Sequence, residues 1–225
     1  MRNWDQSYLD NFKLLFQQGK HDEIISTCKQ ILATNDNSLE ALKIIAKSMM
    51  ALGRREDACV YLNKALTILP RNCEIIKDLG NCYQSMGDSN KAKSYYEEAL
   101  SINENYAPAL INLGIIESIS GNTEKALVLL VSATKSDSSL FVAWLNLANI
   151  YFKVGKEEEA EYACRRTIEL NPDNFQSYFL LASILIGQKR NQEAETSLRK
   201  AIDIKPDSYN SHLSLGALLN QLGKT

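Results

Sequence analysis

Six glycines, Gly19, Gly53, Gly87, Gly121, Gly155 and Gly223, are separated by thirty-four residues or a multiple of it, and Lys189 stands where another would fall. A short period kept without insertion confines a chain to a tandem array. Each unit is one supersecondary element, too small to bury its apolar face alone, that stacks on its neighbours. In this frame the repeats run 5–38, 39–72, 73–106, 107–140, 141–174 and 175–208, followed by a half repeat at 209–225. Each repeat carries two runs of 3.6-residue apolar periodicity on either side of its glycine, the residue best suited to the left-handed conformation that ends a helix. The predicted unit is helix, turn, helix, and the fold class is all-α.

Fixed slots within the unit hold small residues: Ala46, Gly80, Gly114, Ala148, Ala182 and Gly216 in the first helix, then Ala58, Ala92, Ala126, Ala160 and Ala194 early in the second. A third small slot holds Ala65, Ala99, Ala133 and Ala201. Small side chains at constant positions are what close approach of packed helices requires. Large apolar slots lie between them, with Leu42, Ile76, Leu110, Trp144 and Tyr178 at one and Leu79, Leu113, Leu147, Leu181 and Leu215 at another. Pro70, Pro172 and Pro206 share a slot after the second helix, where a missing N–H suits a stop. The first repeat departs from the pattern, with Phe12, Ile24 and Ile31 in the small slots, as expected of an end cap.

This thirty-four-residue pattern of small and large slots closing on proline resembles the tetratricopeptide repeat family over essentially the whole chain. The resemblance implies a right-handed superhelical solenoid of tandem helix-turn-helix repeats whose first helices line a concave groove. The RNA-reading pentatricopeptide repeats differ in having a longer period and a basic groove. A net charge of −2 and a pI near 5.8 also speak against a phosphate-neutralising protein, so nucleic acid is not an expected partner.

The sequence lacks the constellations that chemistry needs. It has two histidines, His21 in a turn and His212 in a packing slot, and no glycine-rich phosphate loop. Its five cysteines, Cys28, Cys59, Cys73, Cys82 and Cys164, are scattered through helical slots without a Cys-x-x-Cys pair and read as reduced thiols in the core. Glu157, Glu158, Glu159 and Glu161 sit among Lys156, Arg165 and Arg166, a solvated helix face with i,i+4 pairing. The expectation is therefore no enzyme activity, no cofactor and no metal. With neither a leader-like h-region nor a long apolar run, the chain is expected in the cytoplasm, with no membrane partner.

Carried onto this sequence, the family's groove-facing slots select Lys77, Asp78, Asn81, Asn112, Asn146, Asn149, Phe152 and Lys153 as the peptide-binding strip. Asparagine is a mediocre helix former, and its amide can both donate to and accept from a peptide backbone. The four asparagines resemble part of the ladder lining the superhelix of the O-linked N-acetylglucosamine transferases; equally, four of the chain's nineteen asparagines can fall there without a role. The carboxylate clamp of chaperone-binding relatives is incomplete, because Val142 and Asn146 stand where that clamp has two cations.

The expected function is a non-catalytic scaffold that binds an extended peptide or partner segment in the concave groove. The alternative is a substrate-recruiting arm of a larger enzyme, a glycosyltransferase or other group transferase. The half repeat keeps an internal pattern and stops inside a turn, which suggests a fragment of a longer protein. It would leave Leu215, Leu218, Leu219 and Leu222 partly uncovered, a face through which the chain could associate with itself.

Overall fold

A computed structural model of the chain describes residues 6–223, with side chains from residue 11 onward. The start of the first repeat at residue 5 and the Lys224–Thr225 end of the half repeat lie outside the described residues. Within them run thirteen α-helices and no strand: α1 (Gln6–Gln17), α2 (His21–Thr34), α3 (Leu39–Ala51), α4 (Arg55–Ile68), α5 (Cys73–Ser85), α6 (Ser89–Ile102), α7 (Ala107–Ile119), α8 (Thr123–Ser136), α9 (Phe141–Lys153), α10 (Glu157–Leu170), α11 (Phe175–Gly187), α12 (Asn191–Ile204) and α13 (Tyr209–Gln221). The chain is an all-α solenoid of helical repeats, and α3 to α13 alternate first and second helices in the register set by the glycines. Its residues gather into two compact units, Met1–Ala109 and Leu110–Thr225.

The turn inside each repeat explains the glycine series. In the second repeat the Arg54 N–H donates to the Met49 carbonyl at 2.8 Å and the Gly53 N–H to Met50 at 3.1 Å. That pair of bonds satisfies carbonyls the helix would leave orphaned, and it requires a left-handed residue between helices, met by Gly53 at φ 75°. Lys189, which breaks the series in sequence, does not break it in space. It adopts φ 61°, and the bonds Arg190 N–H to Leu185 and Lys189 N–H to Ile186, at 2.8 and 3.0 Å, reproduce the motif. A lysine held there carries strain that glycine lacks. Lys189→Gly should therefore stabilise the second unit by about 1 kcal/mol in chemical denaturation, less the chain entropy that glycine costs on folding. A loss of stability would mean that the lysine side chain supplies something the backbone does not need.

Among the described residues, three helix starts are capped by side chains: Asn72 and Asn174 accept from Ile75 and Ser177 N–H at 2.9 Å, and Asp88 from Lys91 at 3.1 Å. In the first unit the core is a continuous cluster that includes Ile24, Leu42, Ile45, Met49, Leu62, Ile75, Leu79 and Cys82, all within 2% of complete burial. Phe12 and Ile24 are buried in slots where later repeats put smaller residues, so the cap fills its own gap. In the second unit Leu130, Leu147, Ile184 and Leu198 are buried, as are the small residues Ala126, Ala133, Ala148, Ala160 and Ala194.

Four cysteines are buried and Cys73 is half-buried, its thiol 3.5 Å from the Ala99 carbonyl. Burial pushes Cys28, Cys82 and Cys164 up to about 12, so these thiols stay protonated. No helix among the described residues is long and apolar enough to cross a membrane.

Three sequence expectations need correction. His212 is exposed rather than packed; a ring nitrogen lies 2.8 Å from the Pro206 carbonyl. On α13, Leu215, Leu219 and Leu222 are partly uncovered as expected, but Leu218 is only 2% exposed, and the most open apolar side chains are Tyr209 and Leu213. Glu161 is not part of a merely solvated face. It pairs with Arg165 at 2.7 Å and with Arg190, twenty-nine residues away, at 2.8 Å, and Arg190 in turn holds Glu193 at 2.7 Å. Desolvation opposes ionisation of Glu161, but hydrogen bonds from Arg165 and Arg190 outweigh it and lower its pKa.

Candidate functional site

The eight residues of the expected strip divide between the two units. Lys77, Asp78 and Asn81 lie on α5 in the first, where they border a groove of about 420 Å³ between α3 and α5. Ala46, Met50 and Leu62 contribute apolar lining, and charged groups line it as well. Lys43 pairs with Glu74 at 2.5 Å, and Lys77 pairs with Asp78. Lys47 is exposed and lies 5.1 Å from the centroid of the Phe16 ring. The groove is thus an apolar floor between paired opposite charges, of which Lys43–Glu74 is open enough for water to weaken it while Lys77–Asp78 is more shielded. Within electrostatic reach of Glu74 and Asp78, Tyr106 is pushed up to about 12, first by burial and then by those charges.

Asn81 has work inside the fold. Its carbonyl oxygen accepts from the Tyr96 hydroxyl at 2.8 Å, and its amide nitrogen lies 3.4 Å from Asp78 Oδ1. It therefore ties α5 to α6, and its oxygen is already engaged before any ligand arrives.

Asn112, Asn146, Asn149, Phe152 and Lys153 belong to the second unit. Asn112 is half-buried on α7. On α9, Asn146 donates its amide to the Val142 carbonyl at 2.8 Å, and Asn149 donates to Leu145 at 2.9 Å. Each amide folds back on its own helix, which commits one N–H. At 100° per residue, Asn146, Asn149, Phe152 and Lys153 span about 120° of α9, so they form one stripe. Phe152 is 40% exposed, an aromatic surface open to a partner.

Sequence slots found α5 and α9 but missed Lys43 and Glu74. Lys43 occupies the same slot as Lys77 one repeat earlier, so extending that slot to the second repeat would have found it.

Comparison with known proteins agrees with this architecture. The family model of the cilia and flagella-associated protein 70 middle TPR-like domain matches residues 42–169. A tetratricopeptide repeat model matches residues 145–209. No curated protein matches the sequence. Among solved structures, PilF of Pseudomonas aeruginosa superposes with a TM-score of 0.76 at 21% identity, covering 84% of this chain and 86% of that one. YrrB, described as a TPR protein with an unusual peptide-binding site, gives 0.61 at 19% identity, covering 83% and 96%. MamA gives 0.62 at 22%, covering 72% and 95%.

Proposed function

This chain belongs to the tetratricopeptide-repeat family, and we propose that it is a binding scaffold whose first-helix surface holds an extended segment of a partner polypeptide. The observation that carries the reading is the groove of the first unit, about 420 Å³ in volume. Its apolar floor can take side chains, and the open Lys43–Glu74 pair can be exchanged for ligand charges at small cost, with Lys77 and Asp78 beside it. Mixed charge of this kind suits a peptide of mixed sequence better than a flat apolar partner. The asparagine stripe of α9 offers the second unit a related role, its amide carbonyl oxygens accepting from backbone N–H groups of the ligand.

The test is to select peptides from a displayed library on the intact chain and to measure their affinity calorimetrically. Lys47→Ala with Lys77→Ala should weaken binding by about tenfold, two charge-bearing contacts each worth on the order of 1 kcal/mol or less. Asn81 is avoided because its loss would strand the Tyr96 hydroxyl. If only Asn112→Ala with Asn146→Ala weakens binding, the peptide lies on the second unit instead. If neither pair matters, the first-helix surface is not the binding site.

A further inference from the structure

The second unit contains another cavity, of about 520 Å³, built by α8, α9 and α10. Trp144, Leu147 and Tyr151 of α9 line it within about 60° of helix arc, centred roughly opposite the Asn146 to Lys153 stripe. It is therefore a surface separate from the strip discussed above. Trp144 is fixed by its indole N–H, which donates to the Ser138 carbonyl at 3.0 Å. Tyr162 of α10 meets the Trp144 ring edge to face, with centroids 5.7 Å apart and planes at 79°, so two walls stand nearly at right angles. Tyr151 supplies a third ring, and Glu158 and Glu159 bring carboxylates to the same lining. Burial first, and the charge of Glu159 after it, push the Tyr151 phenol upward, which places that carboxylate within electrostatic reach of the ring.

Aromatic faces backed by carboxylates attract cations that carry an apolar stem. The chain's own cations already respond to this field. Lys156 Nζ lies 5.9 Å from the centroid of Tyr151, and the Arg166 guanidinium 5.9 Å from Trp144. Neither saturates the lining carboxylates: Lys156 reaches Glu159 only at 4.0 Å, and Arg166 pairs with Glu169, outside the cavity. Lys135 also lines the cavity, so its charged lining sums to one negative charge. Tyr162 is 59% exposed, which leaves the box open to a side chain presented from solution.

We infer that this aromatic and acidic box is a receptor for a lysine or arginine side chain of a partner polypeptide. The stem lies along Val131, over the floor that the buried Leu147 and Ala163 support, and the charged head sits between the rings and the two carboxylates.

The test uses the full chain with Trp4→Phe, so that Trp144 alone reports, since the sequence has two tryptophans. Blocked Gly-Arg-Gly, Gly-Lys-Gly and the uncharged Gly-citrulline-Gly are titrated against Trp144 emission. The arginine or the lysine peptide should bind at least about tenfold more tightly than the citrulline peptide. Tyr162→Ala removes a mostly exposed ring and should leave the helical signal intact while weakening binding roughly fivefold. Glu158→Gln with Glu159→Gln should weaken it similarly, and Lys156→Met, which removes a resident competitor, should tighten it. Equal binding of the citrulline peptide overturns the inference. So does affinity indifferent to both the Tyr162 and the double glutamine variants, or a flat emission with both basic peptides.

Discussion

Gly80→Ala should destabilise the first unit by about 1–3 kcal/mol, although alanine is the better helix former. A Cβ placed on Gly80 would lie 2.5 Å from Cε1 of Tyr96 and 2.8 Å from its Cδ1. The ring is only 1% exposed, and its hydroxyl is anchored on Asn81, so it cannot swing aside without breaking a 2.8 Å hydrogen bond. The same slot in the half repeat makes an internal control, because a Cβ on Gly216 would meet nothing within 4 Å. Gly216→Ala should accordingly stabilise by about 0.5–1 kcal/mol. Urea denaturation followed by far-UV circular dichroism reads both changes, and hydrogen exchange assigns the first to α5 and α6. A Gly80→Ala chain as stable as its parent would show that Tyr96 has room to repack.

The second large effect is expected at Glu117, which is 1% exposed. The slot it fills on α7 holds Leu15, Met49, Tyr83, Tyr151 and Leu185 in other repeats. Its carboxylate accepts from the Asn122 amide at 2.7 Å and forms an ion pair with Lys125 at 2.8 Å, so the end of α7 is tied to the start of α8 across the Gly121 turn. Removing the carboxylate strands these partners and opens a hole, so Glu117→Ala should cost about 3 kcal/mol, held near the low end for a buried pair because Lys125 is half-exposed. Glu117→Met restores the apolar volume usual at this slot and should be close to neutral. The same denaturation measurement separates the two substitutions. Equal losses from alanine and methionine would mean that the turn needs the charge itself.

These two sites mark where the sequence could be read and where it could not. A period records which slots are small, so Gly80 was recognisable as a contact point. That Tyr96 is the group it must admit follows only from the packing of α5 on α6. Lys189 misled by identity alone, since its backbone obeys the hydrogen bonds that define the turn. The charged groups were the least legible. The glutamate of α7, the Arg190 bridge to Glu161 and the Asn81 bond to Tyr96 join residues that no helical spacing pairs, because they meet through tertiary packing or across a turn. The aromatic box was hidden for the same reason: Trp144 and Tyr178 share one slot, yet the Trp144 wall depends on a tyrosine eighteen residues further along the chain.

The buried thiols give the array an internal clock. Cys28 sits on α2, Cys59 on α4, Cys82 on α5 and Cys164 on α10, each shielded from reagent while its helix is packed. Only a thiolate reacts quickly with an alkylating agent; Cys28, Cys82 and Cys164, raised to about 12, release almost none near neutrality, and burial raises Cys59 as well. Labelling must therefore wait for local opening, and the time each cysteine takes to acquire its mass tag ranks how often its own part of the array breathes.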